Sequence, residues 1–293
     1  KPIIYLSSPV DLTATVHLDL VSQWELSAIY PVVPITRKPS SPLHESIEWN
    51  VKTCADGSLV QTDTGLEVAY LFWEATTTPT LEPSPSPSPR LSSIEPAFAP
   101  NGADLTPQNS IILPIADAPI YLEISLKALT LHTESRTSFI TYWLPNLLKH
   151  NHIALRFLPQ QAYEKAAPLT VTPSPDVVTR VFMLFSGVDE EGLGAWDETA
   201  SRATEEDDVS FWTDVVGVDV ERAMDGRLFQ VLVWGGMEVL RSKLSFDAFE
   251  FGLANFCWYG VRYLIEGCIS NNTCTYRHSL RRLEYYTKQP PVR

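Results

Sequence analysis

The segment 13–20 alternates strictly between polar and apolar residues, and this pattern constrains the fold more than any other feature of the sequence. Ala14, Val16, Leu18 and Leu20 lie on one side of an extended chain, and the polar residues between them lie on the other. Alternation with a period of two is typical of a strand that buries one face. The chain is therefore expected to build a sheet over a hydrophobic core.

Further strand-like runs lie on both sides of this segment. They are rich in β-branched, aromatic and aliphatic residues and are bounded by Gly, Pro, Asn, Asp or Ser. The run 177–185 is almost entirely apolar and is expected to be covered on both faces. Gly235 and Gly236 indicate a bulge or a close backbone approach. The predicted strands cover 3–6, 24–30, 47–53, 58–61, 67–73, 110–115, 153–158 and 177–185, with a bent strand or strand pair over 228–240.

Two longer helices are predicted in the middle of the chain. Asp117, followed by a proline in the first turn, is expected to begin a helix that ends near Leu131. A second helix is expected to begin at Thr133, with an acidic residue near its positive end. Pro145 lies inside its apolar pattern and is expected to kink or divide the helix near Trp143.

Shorter helices are predicted over 159–166 and 211–224. The order of strand 153–158, helix and strand 177–185 indicates a crossover unit packed on the sheet. Together the elements predict an α+β fold. This fold is a mixed, mainly antiparallel sheet with helices packed on one face and a proline-rich surface insertion.

Two segments differ in composition from the rest of the chain. Prolines interleaved with serine and threonine fill 76–100, and proline lacks the amide donor that a sheet needs, so an extended surface loop is expected. Nine acidic residues fall within 189–208, which predicts a solvated loop. We expect one domain over 1–243, and a C-terminal extension over 244–293 that is packed on it or partly loose.

The charge of the chain restricts its partners. The formal net charge is -13 over 293 residues and the pI is about 4.9. This charge repels phosphate backbones and anionic lipid surfaces, so neither nucleic acid nor membrane is an expected partner. No run of eighteen apolar residues occurs. The absence of a signal-peptide pattern favours a cytoplasmic location and leaves secretion open.

Motifs for cofactors and metals are not found. No phosphate-binding glycine motif, G-x-S-x-G elbow or H-E-x-x-H motif occurs, so no cofactor is predicted. Cys257, Cys268 and Cys274 are compatible with a local disulfide and equally with buried free thiols. His150 and His152 would lie on the same side of an extended segment, as metal ligands do, but a third ligand is not evident. No metal site is predicted.

The chain resembles a group of bacterial and fungal proteins that open with a KP-[VI]-IYLYP-like strand. The resemblance lies in six short sequence motifs, here called words, which occur in the same order along the chain. The resemblance extends over about residues 1–240 and implies no activity, because none is established for that group. The chain departs from the bacterial pattern in its proline-rich insert, its acidic loop and its C-terminal part. The words are KPIIYL at 1–6, WNV leading to DGSL at 49–59, YLFWE at 70–74, FITYWLP at 139–145, PSPD leading to RVFM at 173–183, and WGGME at 234–238.

Three acidic residues in these words are the catalytic candidates: Glu74, Asp176 and Glu238. A carboxyl group beside aromatic walls can have a raised pKa and act as a general acid, and two such groups across a cleft could hydrolyse a glycosidic bond. The alternative is structural: each acid terminates a strand, caps a turn or pairs with an arginine.

Aromatic residues of the same words are the candidates for ligand binding: Trp73, Tyr142, Trp143 and Trp234. Aromatic faces can stack on sugar rings, although such residues more often belong to the core. We therefore expect a non-catalytic binding or interaction protein with a carbohydrate or protein partner. The alternative is a hydrolase with glycosidase-like acid–base chemistry, which would use Glu74 with Asp176 or Glu238. The sequence does not decide whether the protein is an enzyme.

Overall fold

The computed structural model describes residues 2–38, 41–78, 96–196 and 209–240 of the chain. Short 3-10 helices cover Pro100–Gly102 and Glu190–Trp196. The strands of this part of the chain are β1 (Ile3–Ser7), β2 (Leu12–Asp19), β3 (Trp24–Tyr30), β4 (Thr36–Lys38), β5 (Ser41–Thr53), β6 (Leu59–Gln61), β7 (Glu67–Val68), β8 (Leu71–Thr77), β9 (Ile111–Pro114), β10 (His152–Phe157), β11 (Leu169–Thr172), β12 (Val177–Val188) and β13 (Gln230–Glu238). The α-helices are α1 (Ala118–Ala128), α2 (Thr133–Leu147), α3 (Gln160–Ala166), α4 (Phe211–Val216) and α5 (Val220–Ala223).

Two sheets form the frame of the fold. The large sheet has seven strands in the order β3-β8-β1-β13-β12-β10-β9. Its β12 and β13 run parallel, and its other neighbours run antiparallel. The small sheet has the order β11-β2-β5-β6-β7, with β4 also paired to β5. The small sheet covers one face of the large sheet.

A hydrophobic core fills the space between the sheets. The alternating residues of β2 that the sequence assigned to a buried face do point into it. Trp49 of β5 and Trp73 of β8 are fully buried there, and burial of one such side chain stabilises the fold by about 1.5–3 kcal/mol. Helix α3 packs into the same core through Tyr163. This side of the large sheet is therefore a sandwich.

The other face of the large sheet carries the remaining long helices. Ile3, Val181 and Trp234 of the sheet pack there against Leu122 of α1 and Phe139 of α2. Helix α4 joins this layer through Trp212, whose indole N–H donates to the Tyr121 hydroxyl at 2.8 Å. Strands β12 and β13 contribute alternate residues to both cores, which explains their nearly continuous apolar sequence.

A buried carboxylate ties the edge of the large sheet to the small one. Glu45 accepts the backbone N–H of Leu26 at 2.6 Å and the Arg37 Nε–H at 2.9 Å. The side chain of Glu45 is almost completely buried, and both of its oxygens are paired. Removing the acid would leave the buried N–H of Leu26 without an acceptor, which is costly, whereas the half-exposed guanidinium of Arg37 can turn to water.

The predicted α+β class is confirmed, including the mixed, mainly antiparallel pairing and the helix layer. The prediction of a crossover unit from β10 through α3 to β12 is wrong. Those strands are antiparallel, because the chain after α3 first forms β11 in the small sheet and then returns. The parallel pair is β12 with β13, and the connection between them carries α4 and α5.

Two predictions for the helices are also corrected. Helix α2 runs undivided through Pro145, which lies in its last turn. The helix ends two residues later, so the one backbone hydrogen bond that the missing N–H of the proline would make is lost only at the helix end. The stretch 211–224 is not one helix but two, and Gly217, with φ at 80°, ends the first of them. Gly235 and Gly236 form no bulge, and the β12–β13 register is continuous past both.

Some predicted segments lie outside the described residues. These are most of the proline-rich insert, at 79–95, part of the acidic loop, at 197–208, and the C-terminal extension with Cys257, Cys268 and Cys274. In the described part of the chain, Cys54 is a free thiol, and no helix is long and apolar enough to cross a bilayer.

Candidate functional site

Glu74 lies on β8 and faces the helix layer, since its neighbours Leu71 and Trp73 belong to the core between the sheets. Its Oε1 accepts a hydrogen bond from the Tyr142 hydroxyl of α2 at 3.1 Å. Burial, and next to it the Glu74 carboxylate, raises the pKa of Tyr142 to about 12. The phenol therefore stays protonated and keeps donating to the carboxylate at neutral pH.

Glu238 ends β13 on the same face of the sheet. Its Oε1 lies 3.0 Å from Nε2 of His150, which follows the C-terminus of α2. Both side chains are about one-fifth to one-quarter exposed. The imidazole packs directly on Gly187 of β12, where a Cβ atom would meet its ring. The pair thus fastens the end of α2 to the sheet.

Glu74 and Glu238 lie at the same end of the large sheet. Phe72 and Trp234 both pair with Ile3 of the strand between them, which fixes the relative register of β8 and β13. From strand spacing and rise, the Cα atoms of the two acids lie roughly 12 Å apart. Two of the three predicted acids therefore share one face and one end of the sheet.

Trp143 lies between the two acids. Its ring contacts Tyr142 edge-on, with the ring centroids 4.9 Å apart, and a Cβ atom at Gly236 would lie 3.0 Å from its Cζ2. The close approach expected at Gly236 is thus made by a tryptophan of α2. We call the group Glu74, Tyr142, Trp143, His150 and Glu238 the carboxylate cluster.

Asp176 does not belong to this cluster. It precedes β12 at the opposite end of the sheet, and the register of β12 with β13 puts it roughly 26 Å or more from Glu238. Its Oδ2 accepts the Phe229 N–H at 2.8 Å, and its backbone carbonyl accepts from Arg222 at 2.6 Å. Asp176 therefore joins the start of β12 to the segment that leads into β13, and it cannot act with Glu74 or Glu238 on one bond.

Three of the four predicted ligand-binding aromatics are core residues. Trp73 and Trp234 are buried on opposite faces of the large sheet, and Trp143 is only 5% exposed. Their ring faces are covered by protein atoms, so a sugar ring cannot stack on them in this conformation. Tyr142 is half-buried and is hydrogen-bonded to Glu74.

The two histidines of the 150–152 segment point to opposite sides of the sheet. His150 lies on the helix face with Gly187, whereas His152 pairs with Val188, whose side chain packs on the other face. The turn between α2 and β10 breaks the extended geometry on which the metal hypothesis depended. No group of three or more potential ligands forms among the described residues.

A groove of about 850 Å³ opens at the other end of the large sheet, where the helix layer stops short. Its floor is the helix face of three adjacent strands, and two cross-strand rows of side chains cover that floor. One row is Tyr5, Leu232 and Thr179, and the next is Ser7, Gln230 and Val177. We call this feature the strand-end groove.

The turn between α1 and α2 forms one rim of the strand-end groove. Thr130 in this turn has φ at 67°, a left-handed conformation that is unfavourable for a β-branched residue. The turn is closed by Thr130 N–H to Lys127 O and Leu131 N–H to Leu126 O, both at 3.0 Å. These are the two bonds of a Schellman motif, in which glycine usually occupies the position of Thr130.

His132 caps α2 at the same rim. Its Nδ1 accepts the Ser135 N–H at 3.3 Å, and its ring contacts Tyr5 edge-on, with the ring centroids 4.8 Å apart. Burial lowers the pKa of His132, so the neutral ring that can accept this bond is favoured. The pKa of Tyr5 is raised by burial and next by the carboxylate of Glu134. The rim therefore holds fixed, oriented polar groups.

Sequence reasoning missed this groove. A signal was present on β12, because its helix face is apolar except for Thr179. A polar residue in the middle of such a row indicates that something other than the core lies opposite it. The other residues of that face are Val177, Val181, Met183, Phe185 and Gly187.

Comparison with protein-family models, with curated proteins and with solved structures gave no match for this chain.

Proposed function

We propose that this protein is a non-catalytic binding protein and that the strand-end groove is its ligand site. The observation that carries the proposal is a groove of about 850 Å³ whose floor bears polar side chains on adjacent strands. That volume lies within the range of about 300–1,000 Å³ that is usual for ligand sites. Strands hold such groups more rigidly than loops do, which lowers the ordering cost of binding.

The strained turn at Thr130 supports the same conclusion. A left-handed threonine costs about 1–2 kcal/mol and is retained only where the surroundings determine it. Here the turn that contains the strained Thr130 places Lys127 and His132 at the rim of the groove. Strain of this kind is concentrated at sites that recognise ligands.

The experiment is a binding screen with a groove-filling variant. Arrays of glycans and peptides would be probed with the wild-type protein, and every hit would be repeated with Ser7→Trp. Ser7 is exposed at the edge of the floor, so a large side chain there fills the groove without entering the core. Thr13→Trp, at an exposed position of the small sheet, is the matched control. We expect the hits to be lost in Ser7→Trp and retained in Thr13→Trp. Equal binding by both variants would place the site elsewhere.

A carboxylate-dependent hydrolase is the second candidate. It is favoured by Glu74 and Glu238, which share one face and one end of the sheet with their Cα atoms roughly 12 Å apart. Glycosidases use two such acids on either side of the bond that they cleave. The test is turnover of aryl glycosides by Glu74→Gln and Glu238→Gln, with Asp176→Asn as the control at the far end of the sheet. Turnover that is lost in the first two variants only would favour the hydrolase, and turnover that survives in both would exclude these acids.

A further inference from the structure

The charged groups around the strand-end groove do not balance. Asp56 approaches from the turn between β5 and β6, Glu67 from β7 of the small sheet, and Glu134 from the first turn of α2. Of the two cations, Arg136 is engaged by Glu123 at 2.7 Å, whereas Lys127 forms no ion pair with a described residue. Three carboxylates thus face one unpaired cation.

A second, independent observation points to a ligand in the same place. Thr179 is only 3% exposed, lies in the row between Leu232 and the groove wall, and lines the cavity. Its hydroxyl makes no hydrogen bond to any residue that the structure describes. The oxygen of this hydroxyl is not among the fully enclosed polar atoms that lack a partner, so it is reached from the groove. A hydroxyl held open on a rigid strand is available to a ligand.

The wall of the groove also offers an apolar contact. Met224, which follows α5, is 70% exposed and lines the cavity. Methionine is flexible and polarizable and is frequent on surfaces that bind peptides of varied sequence. Tyr5, by contrast, is only 7% exposed, so the groove has no open aromatic face on which a sugar could stack.

We infer that the ligand of the strand-end groove is an extended basic peptide segment of a partner protein. This inference depends on the proposed function and specifies its ligand. The excess carboxylates attract lysine or arginine side chains, and Met224 contacts an apolar side chain. The Thr179 hydroxyl and the side-chain oxygen of Gln230 bond peptide groups, while the Gln230 NH2 group is held by the carbonyl oxygens of Asp225 and Arg222. The net charge of -13 steers a cationic partner towards the protein.

The test uses fluorescence anisotropy with three labelled peptide sets of equal length, rich in lysine and arginine, in glutamate, or in uncharged residues. Glycans are included as a fourth set. Glu67→Gln with Glu134→Gln removes two charges from the rim. The control, Glu190→Gln with Glu191→Gln, removes two charges beyond the opposite end of β12. Exposed pairs contribute about 0.2–1 kcal/mol each, so the groove variant should weaken the binding of basic peptides by about two- to thirtyfold. The control should leave their binding unchanged.

Thr179→Val supplies a second variant that keeps the shape of the floor. It should weaken peptide binding by about two- to tenfold, the contribution of one neutral hydrogen bond, without lowering the unfolding midpoint. A rise in salt concentration should also weaken binding, since the rim charges are exposed.

Each other outcome overturns the inference. Equal affinity for all peptide sets, or equal loss in the groove and control variants, would show that the carboxylates do not select the ligand. Binding of glycans alone, lost in Ser7→Trp, would leave the binding function standing and overturn the peptide class. If the protein binds none of the peptide sets and no glycan, both the proposed binding function and the basic-peptide inference are overturned.

Discussion

Substitution of Gly187 by alanine tests how the helix layer is held on the large sheet. A Cβ atom at this position would lie 2.6 Å from Cε1 and 2.8 Å from Cγ of His150. Van der Waals contact requires about 3.5 Å, so the imidazole must move by roughly 1 Å. That shift takes the 3.0 Å bond between His150 and Glu238 beyond hydrogen-bond distance.

The magnitude follows from three contributions. Loss of the hydrogen bond costs about 0.5–1.5 kcal/mol, and crowding of the ring adds about 1 kcal/mol. Alanine recovers about 0.5–1 kcal/mol because it loses less backbone entropy than glycine in a strand. We expect Gly187→Ala to lower the free energy of unfolding by about 0.5–2 kcal/mol.

Urea denaturation at pH 7.5 measures this change, and a second background identifies its cause. His150→Ala removes the ring that the new methyl group would displace, so Gly187→Ala should be neutral or slightly stabilising in that background. Gly194→Ala, where a Cβ atom would meet nothing within 4 Å, is the control. If Gly187→Ala costs as much without the imidazole as with it, the argument from the His150 contact is refuted.

Three further substitutions have defined outcomes. Thr130→Gly relieves the left-handed threonine of the α1–α2 turn and should raise the free energy of unfolding by about 0.5–1 kcal/mol in urea titration; a decrease would refute the strain. For His132, burial lowers the folded-state pKa below the unfolded value, so the unfolded state takes up the proton first and stability falls as pH drops below about 6.5. His132→Asn keeps a capping acceptor that does not titrate, and its unfolding midpoint should fall less than that of the wild type between pH 7.5 and pH 5. Asp176→Ala removes the acceptor of the Phe229 N–H and should cost about 1 kcal/mol, while turnover or binding at either end of the sheet is retained.

The strands could be predicted because a residue's side in a strand is a local property. Alternation over 13–20 shows which residues are buried, and the structure buries those residues. Alternation does not show which surface covers them, so the division into two sheets was not evident. The error over β10 and β12 has the same origin, because the chain leaves the large sheet after β10 and forms α3 and then β11 of the small sheet before it returns as β12.

The candidate site was predictable in part. Glu74 follows an aromatic run inside β8, Glu238 ends β13 four residues after Trp234, and this association of an acid with aromatic residues identified both. Their convergence requires the register across β1, which depends on long-range pairing. Asp176 gave the same local signal but lies at the start of a strand, and parallel neighbours place starts and ends at opposite edges of a sheet. The structure alone separates it from the other two.

The hydrogen bonds at the two ends of the large sheet argue for different roles. In the carboxylate cluster, one oxygen of Glu74 and one oxygen of Glu238 are each bonded to a residue of α2 or its C-terminal turn, and these bonds hold the helix layer on the sheet. In the strand-end groove, the Thr179 hydroxyl forms no hydrogen bond with a described residue. A ligand gains free energy only from groups that do not have to break a protein bond first. Glu74→Ala should therefore lower stability, whereas Thr179→Val should lower affinity and leave stability intact, and the opposite pair of results would exchange the roles of the two ends.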